Sequence, residues 1–188
     1  AVTVTADPQT KGYGDADPEL TYQITSGTLV GEDAFSGSLT RVPGENVGAY
    51  AIEQGTLELS GNYALTYVGA NLTITQRPVT VTADDQTKVY GEDDPALTYQ
   101  ITKGSLVDGD KFTGSLNRAP GENVGTYAIT QGALKLSSNY ALTFYGAELE
   151  ITPRPATVLA NDKSKTYGDD NPALDAAVSG TVNGDTLD

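Results

Sequence analysis

The distribution of apolar and polar residues along the chain predicts short β-strands. Apolar and polar side chains alternate in 2–6, in 20–25 and in 50–53. A period of two is that of a strand with one buried and one exposed face. β-Branched and aromatic residues fill these segments, and Gly, Pro, Asn and Asp separate them. The pattern therefore predicts a protein built from strands.

Residues 64–75 are predicted to form a β-hairpin. Strands at 64–68 and 71–75 would flank Gly69 and Ala70, and a glycine-containing turn between two alternating segments is typical of a hairpin. Helix signals are poor, because only 32–35 and 55–60 have the composition for a turn or two of helix. We therefore expect an all-β or mostly β fold.

The chain repeats itself with an offset of 77 residues. The segment 2–78 aligns with 79–155 without a gap, and 54 of the 77 aligned positions are identical. A third copy starts at the same offset, with Thr157 as its first matching residue. Such self-similarity is the signature of a tandem array, and we expect this chain to be part of a longer one. The predicted domains are repeat 1 at 1–77, repeat 2 at 78–154 and the truncated start of repeat 3 at 155–188.

The connections between repeats are short and contain proline. The first is Gln76-Arg77-Pro78 and the second is Pro153-Arg154-Pro155. Proline fixes φ and biases the preceding residue toward extended geometry, so these connections are stiffer than Gly/Ser linkers. We therefore expect small elongated β-domains arranged end to end as a rod, in which neighbouring repeats of the same chain are partners.

Composition and charge limit the kinds of functional site and partner that the chain can have. The 188 residues include no His, Cys, Met or Trp, which excludes imidazole and thiol nucleophiles, disulfides and the usual zinc or copper sites. The 11 basic and 25 acidic residues give a net charge of −14, which disfavours nucleic acid and anionic membrane surfaces as partners. No apolar stretch is long enough to span a bilayer. We expect the chain to be a monomer and to need no cofactor. We also expect that it is not an enzyme, because a 77-residue unit has little room for the cleft of a glycosidase.

An acidic loop follows a Tyr-Gly pair in each repeat. Clustered carboxylates are ligands that Ca²⁺ prefers, although the spacing differs from that of an EF-hand loop. The alternative, which we favour, is an Asx-type turn in which proline sets φ before the next strand. The candidate calcium ligands are Asp15, Asp17, Glu92, Asp93, Asp94, Asp169 and Asp170, and the residues framing the loops are Tyr13, Gly14, Pro18, Tyr90, Gly91 and Pro95.

A second loop, Pro-Gly-Glu-Asn-Val-Gly, is identical in both complete repeats. Its glycines and asparagine suggest positive φ, and its glutamate is placed to accept backbone N–H groups inside the loop. Ligand binding is the alternative. We favour a structural role, because repeat proteins reuse the devices that hold each unit together. The residues concerned are Glu45, Asn46 and Gly48 in repeat 1 and Glu122, Asn123 and Gly125 in repeat 2.

Recurring tyrosines and lysines give two further candidates. The tyrosines lie mostly in phase with the apolar face of their strands, so we expect core anchors rather than sugar-stacking platforms. Lys11, Lys88 and Lys165 recur in all three repeats, and we expect them to be exposed beside the acidic loops. The alternative is a buried Lys–Asn cross-link, with Glu45 or Glu122 as its proton shuttle.

The order of these motifs resembles the MBG domain of the YGX type. Tyr-Gly, an acidic pair and proline are followed by Leu-Thr-Tyr-Gln-Ile-Thr, Gly-Glu-Asn-Val-Gly-x-Tyr-Ala-Ile, Asn-Tyr and Leu-x-Ile-Thr-x-Arg-Pro. This family occurs as tandem repeats in very large secreted bacterial adhesins, including filamentous-haemagglutinin-like biofilm proteins. The resemblance implies small β-rich domains, sandwich-like or β-grasp-like, and supplies no catalytic residues.

The resemblance also implies a structural function. We expect stalk repeats of a bacterial surface or biofilm-matrix adhesin, located outside the cell, that space a distal binding region from the cell. Extracellular polysaccharide or a host or cell surface would then be bound by other regions of the protein. The alternative is a carbohydrate- or calcium-binding module that acts along the stalk.

Overall fold

The computed structural model describes residues 1–186, which form sixteen β-strands and no helix. The strands of repeat 1 are β1 (Val2–Ala6), β2 (Gln9–Gly12), β3 (Tyr22–Ser26), β4 (Thr40–Arg41), β5 (Gly48–Glu53), β6 (Leu65–Val68) and β7 (Ala70–Thr75). Those of repeat 2 are β8 (Arg77–Ala83), β9 (Gln86–Val89), β10 (Tyr99–Lys103), β11 (Asn117–Arg118), β12 (Gly125–Thr130), β13 (Tyr140–Tyr145) and β14 (Ala147–Thr152). Repeat 3 contributes β15 (Thr157–Ala160) and β16 (Ala176–Ser179). The predicted all-β fold is confirmed.

Each complete repeat contains a three-stranded and a four-stranded sheet. The strand orders are β3-β1-β6 and β2-β7-β5-β4 in repeat 1, and β10-β8-β13 and β9-β14-β12-β11 in repeat 2. In repeat 1, β1 is parallel to β6 and antiparallel to β3, whereas β7 is parallel to β2 and antiparallel to β5. The first two strands of a repeat therefore pair with its last two, which ties the beginning of the repeat to its end.

The core of repeat 1 lies between its two sheets. Val4 of the three-stranded sheet and Leu72 of the four-stranded sheet are both fully buried. Alternation along β1 and β7 places every second side chain in this core, as the period of two predicts. The buried members of the cluster are Val4, Ala6, Leu39, Ile52, Leu57 and Leu72, and the partly buried ones are Leu20, Tyr22, Phe35, Leu65, Tyr67 and Ala70.

The predicted hairpin at 64–75 is wrong. β6 and β7 are separated only by Gly69, but β6 pairs with β1 in one sheet and β7 pairs with β2 and β5 in the other. Both strands direct apolar side chains into the same core, and the chain achieves this by crossing from one sheet to the other instead of turning back within one. The Tyr67 hydroxyl donates a hydrogen bond of 2.8 Å to the Ile52 carbonyl of β5 and fixes this crossing.

Two compact units make up the described chain. The first consists of 1–81, 101–113 and 135–143. It contains both sheets of repeat 1 together with the segments of repeat 2 that surround Asp110 and Tyr140. The second consists of 82–100, 114–134 and the described residues from 144 onward. It contains the four-stranded sheet of repeat 2 and the antiparallel pair β15–β16.

The connection between repeats 1 and 2 is shorter than predicted, because β8 includes Arg77 and Pro78 and only Gln76 separates it from β7. In repeat 3, Val158 is 57% exposed, whereas its counterparts Val4 and Val81 are fully buried. The described part of repeat 3 has no counterpart of Leu72 to cover Val158. No helix within residues 1–186 has the length and apolar character needed to cross a membrane.

Candidate functional site

Lys11 is the centre of the polar site in repeat 1. Strand β2 directs its side chain inward, and only 4% of that side chain is exposed. Its ammonium group donates to Asp17 Oδ1 and to Glu45 Oε2, both at 2.6 Å, and to the Asp15 carbonyl at 3.0 Å. The expectation of an exposed lysine is therefore wrong for Lys11, because the acidic loop and the Pro-Gly-Glu-Asn-Val-Gly loop both close over it.

Arg41 of β4 binds the same two carboxylates from the other side. Its Nε and Nη2 donate to the two oxygens of Asp17 at 2.6 and 3.0 Å, and Nη2 also donates to Glu45 Oε1 at 2.5 Å. The guanidinium lies 5.6 Å from the centre of the Tyr50 ring. We refer to Lys11, Asp17, Arg41 and Glu45 as the ionic cluster.

Repeat 2 contains the same ionic cluster at the same offset. Lys88 donates to Asp94 at 2.7 Å and to Glu122 at 2.5 Å. Arg118 donates to both carboxylates and lies 5.5 Å from the centre of the Tyr127 ring. In repeat 3, Lys165 donates to the Asp169 carbonyl at 3.1 Å and is exposed.

The electrostatics of the ionic cluster keep all of its members charged. The Arg41 and Lys11 hydrogen bonds lower the pKa of Asp17 to about 2, and the Lys11 and Arg41 hydrogen bonds lower the pKa of Glu45. Burial alone would lower the pKa of Lys11, but the hydrogen bonds and charges of Asp17 and Glu45 outweigh it and the pKa is raised. Two cations and two anions therefore neutralise one another in each complete repeat.

This protonation pattern favours ion pairing over covalent chemistry. Amide formation would need a neutral amine as nucleophile and a carboxyl group or amide able to release its leaving group. Lys11 is instead protonated, Asp17 is held as a carboxylate, and within residues 1–186 the side chains that accept hydrogen bonds from Lys11 are those of Asp17 and Glu45. The geometry thus gives no support to the Lys–Asn cross-link.

The glutamate of the Pro-Gly-Glu-Asn-Val-Gly loop has a different partner from the one predicted. Glu45 and Glu122 accept from Lys and Arg side chains, not from backbone N–H groups of their own loop. Neither Asn46 nor Asn123 has positive φ; their carbonyls accept from the Tyr50 and Tyr127 hydroxyls at 2.8 Å. Gly48 and Gly125 are the first residues of β5 and β12.

The chain matches the family model of the MBG domain (YGX type) three times, at residues 2–73, 79–150 and 156–188. The chain belongs to the MBG family. The resemblance inferred from the order of the motifs is confirmed, and so is the presence of tandem repeats. No curated protein and no solved structure matches the sequence.

The acidic loops of these MBG repeats are drawn into ion pairs. Asp17 and Asp94 belong to the ionic clusters, and Asp15 accepts from Arg77 at 3.0 Å. Within residues 1–186, no three Asp or Glu side chains come together in a way that could hold a metal ion. Calcium binding stays an untested prediction, and the geometry gives it no support. The remaining candidate ligands Glu92, Asp93, Asp169 and Asp170 are exposed, and Pro18 and Pro95 are half-buried beside their loops.

Sequence reasoning missed the two arginines of the ionic clusters. Arg41 and Arg118 occupy equivalent positions, and each directly follows a Leu-x pair whose leucine is buried. Their recurrence at the same position of both copies was the available signal, because an arginine on the inner side of a strand is almost always paired. The sequence does not reveal that this partner lies 24 residues earlier in the acidic loop.

Acid is expected to destabilise the MBG repeats below about pH 4.5, where the glutamates and then the aspartates of the ionic clusters begin to bind protons in the unfolded chain. The pKa of Asp17 and Asp94 is about 2 in the folded chain against an ordinary 3.8. A carboxyl group whose pKa is lower in the folded state contributes stability that is complete above its unfolded pKa and is lost as the pH falls through the folded value. Urea unfolding at a series of pH values from about 7 to about 2 would show a fall concentrated between about pH 4 and pH 2.

The variant that checks this assignment is Asp17→Asn, with Asp93→Asn as its matched control. Asp17→Asn should lower the free energy of unfolding of repeat 1 at neutral pH. It should also make that free energy depend less on pH between about pH 4 and pH 2. Asp93 is an exposed residue of the equivalent loop in repeat 2 and lies outside the ionic cluster, so Asp93→Asn should leave the profile unchanged. Equal profiles for the two variants would contradict the role of the ionic cluster.

Proposed function

We propose that these MBG repeats are structural stalk units of a bacterial surface or biofilm-matrix adhesin, outside the cell, which hold a distal binding region away from it. The observation that carries this proposal is the ionic cluster, built twice from residues at one offset. Its cations face inward, with 4% of the Lys11 side chain and 10% of the Arg41 side chain exposed. Two buried cations therefore hold the acidic loop and the Pro-Gly-Glu-Asn-Val-Gly loop of each complete repeat, and repeat proteins reuse such devices from unit to unit.

The surface charge of the chain supports the same function. The net charge is −14, and several of the 11 basic residues are already paired inside the repeats. The negative charge that remains on the surface makes neighbouring molecules repel one another, which keeps long chains dispersed and extended. This suits a protein that must project away from a cell without associating with its copies.

Small-angle X-ray scattering tests the length that a stalk requires. A single compact domain of 188 residues would have a radius of gyration of about 16 Å. Stalk units that add length should give a clearly larger value and a distance distribution with a long tail. A radius of gyration near about 16 Å would contradict the stalk proposal.

Location is tested on intact cells of the bacterium that makes the protein. Antibodies raised against this chain should label unpermeabilised cells or the surrounding matrix, and external protease should remove the label. An antibody against a cytoplasmic protein, which should label only permeabilised cells, is the control. A signal confined to permeabilised cells would overturn the extracellular assignment.

A further inference from the structure

We infer that the Tyr-Gly loop of each MBG repeat is a docking element whose partner is a defined surface on the following repeat. In repeat 1 this loop consists of Tyr13, Gly14 and Asp15. The receiving surface on repeat 2 consists of Val107, Asp110, Asn139 and Tyr140, all within the first compact unit. The inference concerns how repeats are joined, and it holds wherever the protein resides.

Tyr13 makes the central contact of this joint. Its hydroxyl donates to Asp110 Oδ2 at 3.0 Å, and the Tyr140 hydroxyl donates to the same oxygen at 2.6 Å. The two rings pack edge to face, with centres 5.4 Å apart and planes at 77°. One carboxylate of repeat 2 therefore holds a tyrosine from each repeat, and the aromatic pair adds packing to the hydrogen bonds.

Gly14 allows the loop to approach closely. Its φ is +79°, and a Cβ at this position would lie 2.2 Å from Val107 Cγ2. Only glycine combines this backbone conformation with this contact. The Tyr-Gly pair is thus explained by the joint, since the first residue supplies the hydrogen bond and the second leaves space for the valine.

Arg77 links the same loop to the following repeat from the connecting strand. Its Nη1 donates to the Tyr13 carbonyl at 3.2 Å and to Asp15 Oδ1 at 3.0 Å. Its Nε donates to the Ser105 carbonyl of repeat 2 at 3.0 Å. The guanidinium fork therefore bridges the two sides of the joint.

The Pro-Gly-Glu-Asn-Val-Gly loop of repeat 1 also contacts the receiving surface. The Val47 N–H donates to Asn139 Oδ1 at 3.0 Å, and Asn139 Nδ2 donates to Asn46 Oδ1 at 2.9 Å. Asn139 is only 8% exposed. The Pro-Gly-Glu-Asn-Val-Gly loop, which is identical in both complete repeats, thus binds one buried asparagine of the following repeat.

Repeat 1 carries the counterparts of the receiving residues, and within residues 1–186 no Tyr-Gly loop is hydrogen-bonded to them. Tyr63 donates to Asp33 at 2.6 Å and accepts from the Val30 N–H at 2.8 Å, as Tyr140 does with Asp110 and Val107. The surface is therefore formed without a docked loop. The two surfaces differ in exposure. Val30 of repeat 1 is 72% exposed, whereas its counterpart Val107 in repeat 2 is half-buried. Asn62 of repeat 1 is exposed, whereas its counterpart Asn139 is buried.

Repeat 2 presents its own Tyr-Gly loop to repeat 3 with the glycine and arginine contacts of the first joint, within the second compact unit. A Cβ on Gly91 would lie 2.5 Å from Val182 Cγ2, and Arg154 donates to the Tyr90 carbonyl at 3.4 Å and to the Gly180 carbonyl at 3.1 Å. Within residues 1–186, nothing is docked against the corresponding loop of repeat 3. Gly168 keeps a φ of +93° with no atom within 4 Å of a Cβ, and Tyr167 is fully exposed.

The test uses the amide of Val47, which is hydrogen-bonded across the joint, in the full 188-residue chain. In Gly14→Ala the Cβ should push the loop off Val107, and exchange of the Val47 amide measured by NMR should become roughly tenfold faster, as the loss of one hydrogen bond predicts. The Val42 amide, bonded to the Ala51 carbonyl within repeat 1, should keep its rate.

Gly168→Ala is the matched control, because it places the same substitution on the same loop and backbone conformation with nothing docked. It should leave Val47 exchange unchanged. Equal acceleration in both variants, or none in Gly14→Ala, would overturn the inference. If Gly14→Ala does not fold, Tyr13→Phe replaces it, with Tyr167→Phe as control and the same two outcomes.

A second readout separates docking from general destabilisation. The hydrogen bond to Asp110 raises the pKa of the Tyr13 hydroxyl, and the corresponding bond to Asp33 raises that of Tyr63. With labelled tyrosine rings, Asp110→Asn should lower the pKa of Tyr13, whereas Asp33→Asn should lower that of Tyr63 and leave Tyr13 unchanged. A Tyr13 pKa that does not respond to Asp110→Asn would contradict docking.

Discussion

Replacing Leu72 by alanine is expected to destabilise repeat 1 by about 2–5 kcal/mol, because the substitution leaves a cavity in a core that cannot fully collapse around it. Leu72 is completely buried in β7 and belongs to the cluster that includes Val4 of the opposite sheet. A loss of this size is a large fraction of the stability of a small domain. Urea unfolding with peptide-resolved hydrogen exchange would measure it, since exchange distinguishes the repeats.

The matched controls for this prediction are two other leucines. Leu149 is the counterpart in repeat 2 and is equally buried, so Leu149→Ala should destabilise repeat 2 by a similar amount. Leu174 is 87% exposed, and Leu174→Ala should change stability by no more than about 0.5 kcal/mol. A small effect of Leu72→Ala, comparable with that of Leu174→Ala, would mean that the two sheets of the repeat do not share the core described above.

Replacing Gly37 by alanine is the second substitution with a large expected effect. Gly37 has a φ of +77°, and a Cβ there would lie 2.0 Å from the Thr56 carbonyl oxygen. The left-handed backbone alone costs a non-glycine residue about 1–2 kcal/mol. Displacing a packed backbone adds about 1–3 kcal/mol. We therefore expect Gly37→Ala to lower the free energy of unfolding of repeat 1 by about 2–5 kcal/mol.

Gly31→Ala separates these two contributions. Gly31 also has positive φ, at +60°, but no atom lies within 4 Å of a Cβ built on it. Gly31→Ala should therefore lower the free energy of unfolding only by the cost of the left-handed backbone, about 1–2 kcal/mol. The difference between the two variants, measured by the same urea titration, reports the contact with Thr56. If Gly31→Ala and Gly37→Ala lose equal stability, the close approach at Gly37 contributes nothing.

The faces of the strands were predictable from the sequence, but their assignment to sheets was not. Alternation identifies which side chains of β1 and β7 point inward, because this depends only on the geometry of one strand. It does not specify the neighbouring strand. The predicted hairpin at 64–75 failed for this reason: β6 and β7 both present apolar residues to one core, and a local pattern cannot distinguish a turn within a sheet from a crossing between two sheets.

The candidate site was predicted as a set of residues and not as an arrangement. Three features were identified from the repeat, but each was predicted to have a separate role. The acidic loop was predicted to be a turn, Glu45 an acceptor of backbone N–H groups, and Lys11 an exposed side chain. They belong to one ionic cluster because Arg41 of β4 draws both carboxylates over Lys11. Long-range proximity of this kind depends on strand pairing, which single-sequence periodicity does not contain.

The pairing of the first strands of a repeat with its last strands has a consequence for how the protein is made. Gln9 of β2 pairs with Leu72 of β7, so repeat 1 cannot complete its sheet until nearly all of it has been synthesised. During synthesis β7 emerges well before β14, its near-copy in repeat 2. The correct partner of β2 therefore becomes available before the copy in repeat 2. A chain diluted from denaturant has both copies present at once and loses this advantage, so newly made protein should reach the native pairing more reliably than refolded protein.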